Sequence, residues 1–200
     1  MGVVEEAVSA IQAGQPVVLP TDTVYGLCTS ASGEAPSRRL YRLKQRPAGQ
    51  PSALLCWDVD VLLDSVPELR GRAELIVREL LPGPFTLVLP NPGRRYPWLT
   101  GGVPDSIGVR VPELVGDAAQ VVRRVGAVVA TSANRHGGPN PRRLEEVPDE
   151  IAAGCGALVD GGELPGTPST VLDFTGARPR VLREGAAQAA QALERVAQLA

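Results

Sequence analysis

Lysine is nearly missing from this chain. Of its twenty basic residues, nineteen are arginine and one, Lys44, is lysine. Histidine occurs once, at His136. Cysteine occurs three times, at Cys28, Cys56 and Cys155, too widely spaced for a CxxC pair. These shortages exclude several chemistries. A metal centre built on His and Cys lacks ligands. A Ser-His-Asp triad would need His136, and no GxSxG elbow surrounds any serine. Lys44 follows Leu43 and not a glycine, so there is no Walker A loop. GCGALV at 154–159 lacks the third glycine of a dinucleotide fingerprint. His136 reads as a residue of a Gly-rich loop. The odd cysteine count suggests reduced thiols and a cytoplasmic setting, and Cys28 reads as a packed small residue.

An excess of positive charge is also missing. The net charge is −2, whereas a generic nucleic-acid binder is usually basic; a local basic cleft remains compatible with it. No apolar run reaches the ~18 residues of a membrane span. The N-terminus, MGVVEEAV, is acidic where a secretory leader is basic. No membrane partner is expected. The 200 residues suit a single domain over 1–200, long enough to bury about 70% of the unfolded surface.

What is present is a series of short apolar segments separated by Gly/Pro-rich loops. Helical periodicity predicts helices over 3–12, 36–44, 70–81, 113–125, 143–153 and 186–200. Lys44 closes the second. Leu75, Ile76, Leu80 and Leu81 form the inner face of the third. Strands are predicted at 16–19, 52–57, 85–89, 106–111, 127–131, 169–174 and 180–183. Strands mixed with helices give an α/β (α+β) class with a mixed twisted sheet. PTDTVYG and ANRHGGPNP follow apolar strands, and open α/β sheets bind ligands outside strand ends. The loop at 91–104 is equally readable as an ordinary surface turn.

The polar groups at these strand ends suit anions and polar ligands. In LKQRP, Lys44 and Arg46 would point the same way if the chain is extended towards Pro47. A solvated helix end explains the pair equally well. Either Lys44 fills a place that needs a compact ammonium, or it is a remnant of an Arg-biased composition. In SIGVRV, Ile107, Val109 and Val111 share one face, and Ser106, Gly108 and Arg110 the other. Arg110 therefore lies on a solvent face or lines a polar cleft, with room beside Gly108 for a ligand. Ser132 and Asn134 share one side of TSAN if it is extended. Ser169 opens STVLDF and Arg183 ends RVLR; singly, each could merely cap a turn.

PTDTVYGL, KQRP, SIGVRVP, SAN, PSTVLDF and the late Arg of VLREG occur in this order. The set resembles the YrdC-like family, which includes threonylcarbamoyl-AMP synthases, over about residues 5–187. The resemblance implies a twisted mixed sheet around a large basic cavity, in a short form without an extra C-terminal domain. It implies an ATP-dependent nucleotidyltransferase that makes L-threonylcarbamoyladenylate and pyrophosphate from L-threonine, bicarbonate and ATP. The product serves tRNA threonylcarbamoyladenosine formation through a downstream tRNA-modifying transferase complex. Mg²⁺ would ride mainly on the ATP phosphates, with no metal held by the protein alone.

By the same resemblance, Lys44 and Arg46 are the catalytic pair and hold ATP phosphates. Thr23, Tyr25, Arg110, Ser132 and Ser169 meet threonine. Gln50, Ser106, Asn134, Arg142 and Arg183 meet the nucleotide. Lys44 and Arg46 are expected to be exposed in the cavity, so that replacing them stops turnover without much change in melting. Ser30 and Ala31, the segment Gln50–Pro51–Ser52, Leu55, and Arg135–His136–Gly137 depart from the usual family pattern and touch the substrate pocket. A paralogous carbamoyl-adenylate enzyme with another substrate, or an RNA-binding module, are the alternatives; direct RNA binding is not required.

Overall fold

The computed structural model describes residues 2–47 and 49–199. Among them, nine strands form one mixed sheet. In chain order these are β1 (Val17–Pro20), β2 (Tyr25–Ser30), β3 (Ala53–Cys56), β4 (Phe85–Pro90), β5 (Ser106–Arg110), β6 (Ala127–Ser132), β7 (Ala157–Leu158), β8 (Thr170–Asp173) and β9 (Arg180–Arg183). Their order across the sheet is β7-β1-β2-β6-β3-β5-β4-β8-β9. β1–β7, β3–β5 and β4–β8 pair in parallel, and the other neighbours antiparallel. The helices are α1 (Val3–Gln12), α2 (Glu34–Lys44), α3 (Val59–Ser65), α4 (Arg72–Leu80), α5 (Pro97–Thr100), α6 (Gly116–Val125), α7 (Asp149–Ala153) and α8 (Ala189–Ala197). The expected mixed α/β architecture is present.

Register shows how the two faces differ. Val18, Leu27, Val129, Leu54 and Val109 lie on one face, because Val18 pairs Leu27, Val129 pairs Leu54 and Leu54 pairs Val109. That face is sealed by α2 and α7 at one end and by α3, α4 and α8 at the other. The opposite face carries Val17, Leu19, Cys28, Leu55 and Val128, covered by α1 and α6. Two amphipathic helices cannot cover nine strands. Beyond them the same face continues as Ala130, Ala53 and Gly108, in register on β6, β3 and β5, with Gly26 of β2 beside Ser132. These small residues leave a hollow where larger ones would fill the layer.

The structure departs from the sequence reading in places. YGLCTS forms β2, a strand buried along nearly its whole length. Covered on both faces, it carries no alternating pattern by which to recognise it. PTDTVYG thus spans the turn of the β1–β2 hairpin. The helix expected at 143–153 is a 3₁₀ turn, Leu144–Glu146, followed by the short α7. Pro148 separates them, because the residue before a proline is driven out of the helical region. Leu75 points outward at 45% exposure, and Val77 packs inward in its place. The cap Asp58, which accepts from Val61 N at 2.7 Å, opens α3.

Candidate active site

The hollow is a cavity of about 540 Å³. Arg46, Ser106, Arg110, Ser132, Ser169 and Arg183 line it. Arg180, Asp173, Thr86 and Ser52 complete its polar wall, and Val88, Val103 and Leu182 contribute apolar surface.

The wall begins at the hairpin turn. Thr21 Oγ1 accepts from Thr23 N (3.2 Å) and Val24 N (3.3 Å) and donates to Val24 O (2.7 Å). A hydroxyl that satisfies the turn's own backbone fixes its shape. Thr23 is buried, with Oγ1 3.3 Å from Arg110 Nη2. Arg110 also pairs with Asp22 at 2.9 Å, the two side chains being 12% and 10% exposed. Burial raises the Asp22 pKa, and the facing Arg110 guanidinium partly offsets that rise. Tyr25 lies beneath. Its hydroxyl accepts from Gly161 N (3.0 Å) and has Asp160 Oδ1 (2.9 Å) and Gly162 O (2.8 Å) as acceptors. It anchors the 160–162 loop from outside the cavity lining.

Lys44 and Arg46 part company. The helix runs through Lys44, and Gln45 is left-handed at φ 54°, so the chain reverses between them. Arg46 reaches the cavity, where Nη1 donates to Thr131 Oγ1 (3.0 Å) and Nη2 to Pro51 O. Lys44 is 2% exposed, and not open to the cavity as expected. It shares the inner face of α2 with Leu40 and Tyr41, which carries its ammonium under the loop after β6. There Nζ donates to Ser132 O (2.5 Å), Asn134 O (2.8 Å) and Asn134 Oδ1 (2.5 Å). Ser132 Oγ donates to the same Asn134 Oδ1 (2.6 Å), and Asn134 Nδ2 to Gly138 O. A compact ammonium can meet three converging oxygens where a planar fork cannot. Burial, and secondarily the Arg46 charge, pull the Lys44 pKa down to about 7.

On the far wall, Ser169 Oγ lies 2.8 Å from Thr86 Oγ1 and accepts from Arg183 Nη2 (3.1 Å). The Ser169 carbonyl accepts from Arg183 Nε and Nη2 (3.0 and 2.8 Å). Burial and the nearby Arg110 lower the Arg183 pKa. Ser106 donates weakly to Val103 O (3.3 Å). Thr23 and Asn134, like Lys44 and Tyr25, are buried behind the lining, and two further predicted positions sit elsewhere. Gln50 lies 3.3 Å from His136 Nε2 at the mouth of the adjoining loops. Arg142 pairs with Glu163 at 2.6 Å, half exposed, and packs over Gly166. The 91–104 loop is tied to the Arg46 loop, since Gly102 N donates to Gly49 O (3.1 Å) and Ser52 N to Leu99 O (2.8 Å).

Several buried polar atoms here have no protein partner: Arg46 Nε, Arg110 Nε, Ser52 Oγ and Asp22 Oδ2. Such atoms cost about 1–3 kcal/mol each, so the wall around the hollow carries polar groups at a cost to the fold. The sequence reading passed over Asp22, Asp173, Thr86 and Arg180. Asp22 carried a signal, as an acid in a hydroxyl-rich turn of a chain with a mid-strand arginine. Asp173 lies within the quoted STVLDF; it accepts from Thr175 N (2.8 Å) and pairs with Arg180.

The Sua5/YciO/YrdC family profile, described as "Telomere recombination", matches residues 9–185. The threonylcarbamoyl-AMP synthase of Pyrococcus abyssi is 34% identical over 182 residues, covering 90% of this chain and 53% of the relative. A putative threonylcarbamoyl-AMP synthase of Mycobacterium tuberculosis is 36% identical over 183 residues, covering 90% of this chain and 82% of the relative. The crystal structure of P. abyssi Sua5 complexed with L-threonine is similar at TM-score 0.86 and 32% identity, covering 96% of this chain and 56% of that one. The chain therefore spans about half the length of the Pyrococcus relative. With the profile running over most of the sequence and the same fold in a solved relative, this chain belongs to the Sua5/YciO/YrdC family.

Proposed function

We propose that this chain is an L-threonylcarbamoyl-AMP synthase, a single catalytic unit that joins L-threonine, bicarbonate and ATP and releases pyrophosphate. The observation that carries the reading is the convergence of Arg46, Arg110 and Arg183 with Ser106, Ser132 and Ser169 on one cavity. Three guanidiniums around one hollow suit a ligand with several negative charges. The relative solved with L-threonine supports an amino acid as the second ligand.

In this reading Arg110 receives the threonine carboxylate, and Ser132 and Ser169 flank the amino-acid end, with Thr23 and Tyr25 shaping its walls. Arg46 and Arg183 hold the phosphates. Ser106 and Asn134, with Gln50 and Arg142 further out, attend the nucleotide. Lys44 acts from below, by setting Ser132 and Asn134. The threonine amine condenses with bicarbonate: an N–C bond forms, a C–O bond of bicarbonate breaks, and water leaves, giving N-carboxy-threonine. An oxygen of that new carboxylate forms a bond to the α-phosphorus, the bond from the α-phosphorus to the bridging oxygen breaks, and its electron pair leaves on pyrophosphate. Such a transfer needs in-line placement and charge neutralisation more than covalent help from the protein.

Mg²⁺ would supply part of that neutralisation on the phosphate oxygens. Among the described residues no group of three or more His, Cys, Asp or Glu could hold it. Asp173, the lining carboxylate, already accepts from Thr175 and Arg180. In this reading the ion rides on phosphate and water oxygens. The labile adenylate would pass to a downstream tRNA-modifying transferase.

Pyrophosphate release tests the reading. It is expected only when ATP, threonine and bicarbonate are all present. Equal release with glycine, or with no amino acid, would overturn the threonine assignment.

A further inference from the structure

Asp22 is a buried acid to which the proposed mechanism gives no task. Its surroundings define one. Arg110 is desolvated on the cavity wall, and a desolvated guanidinium needs a counter-charge. Its neighbour Arg183 supplies the opposite, since the two guanidiniums repel one another. Asp22 is the acid that balances Arg110; the Glu113 backbone N–H also favours its ionised form, and the Glu113 charge opposes it more weakly. The turn that presents Asp22 is locked by Thr21 Oγ1, which accepts from Thr23 N and Val24 N and donates to Val24 O, and is set between two buried strands. The carboxylate is therefore placed by the core of the sheet.

The contact has a telling shape. Asp22 Oδ1 and Thr23 Oγ1 both meet the same nitrogen, Arg110 Nη2, at 2.9 and 3.3 Å. Arg110 Nε stays buried without a partner, and so does Asp22 Oδ2. A pair serving stability alone would gain most by closing both contacts of the fork. We propose that Asp22 is a positioning residue that, with Thr23, pins Arg110 by Nη2 and leaves Nη1, which makes no hydrogen bond among the described residues, for the carboxylate of the substrate. The inference rests on the proposed role of Arg110 towards an amino acid. It makes the acid of the TDT turn a determinant of amino-acid affinity without contact to the nucleotide.

Two measurements on Asp22→Asn and Asp22→Ala test it. The first follows the Arg110 Nε–H signal by ¹⁵N NMR, assigned with Arg110→Lys. Loss of the carboxylate should speed its hydrogen exchange at least tenfold with no ligand present. The second titrates threonine and ATP separately. Threonine binding should weaken at least tenfold, and ATP binding less than twofold. Unchanged Nε–H exchange overturns the inference whether or not threonine binds. Equal weakening of both ligands also overturns it, because the pair is then a general brace of the fold. If the wild-type chain binds no threonine while the exchange result holds, the amino-acid part of the proposed function falls and the pinning of Arg110 stands. Should Asp22→Ala fail to fold, the near-isosteric Asp22→Asn carries both measurements.

Discussion

The cavity wall and the outer surface solve one problem in opposite ways. On the surface, Arg38 meets Glu34 at 2.7 Å and Arg142 meets Glu163 at 2.6 Å, with every partner about half exposed or more. Water screens such pairs, and each contributes about 0–1 kcal/mol. At the cavity, Lys44 and Arg110 are nearly dry, and fixed oxygens take the place of water. Short distances alone do not distinguish the two regions. Burial does, and with it the consequence of removing one partner: a surface cation leaves behind a hydrated acid, whereas a buried cation leaves behind stranded oxygens.

Lys44→Ala should break that comparison most visibly. It strips the donor from Ser132 O, Asn134 O and Asn134 Oδ1. Loss of about 1–3 kcal/mol of stability is expected, in the range for leaving buried neutral acceptors unpaired, together with loss of pyrophosphate release. Urea unfolding and a turnover assay check both. This reverses the expectation from sequence that melting would hardly change, because Lys44 is enclosed and not open to the cavity. Arg46→Ala should separate the two effects. Its guanidinium lines the cavity and meets Thr131 and Pro51. Turnover should fall roughly 100-fold, as for loss of one preorganised donor, with stability changed by less than about 1 kcal/mol.

A pH series sharpens the contrast. The Lys44 pKa is about 7 in the fold against an ordinary 10.5. Between those values the unfolded chain holds a proton that the folded chain has released. Stability from this group therefore rises as pH climbs from about 7 towards 10.5 and is lost as pH falls back through about 7. Lys44→Met should flatten that slope in chemical denaturation between pH 7 and 9; an unchanged slope would assign it to other groups. The smallest effect belongs to the surface. Arg38→Ala should shift stability by less than about 0.5 kcal/mol, within the error of a melting curve.

The sequence revealed most where one physical signal stood alone. The alternation of Ile107, Val109 and Val111 placed β5 and put Ser106, Gly108 and Arg110 on the cavity side. Polar strand ends marked Ser132, Ser169 and Arg183. β2 was hidden because both its faces are covered, which erases period-two patterning. Lys44 was misread because nothing local tells a helix's last cation whether it meets water or the carbonyls of a loop 88 residues onward. Asp22 was overlooked for the same reason, since its partner is 88 residues away.

Gly26, Ala53, Gly108 and Ala130 meet only because β2, β6, β3 and β5 lie side by side. Those strands come from stretches of chain separated by the helices and loops that must fold between them. The base of the hollow has no local precursor. A partly melted chain thus presents no half-formed hollow, because its base exists only where these strands are paired.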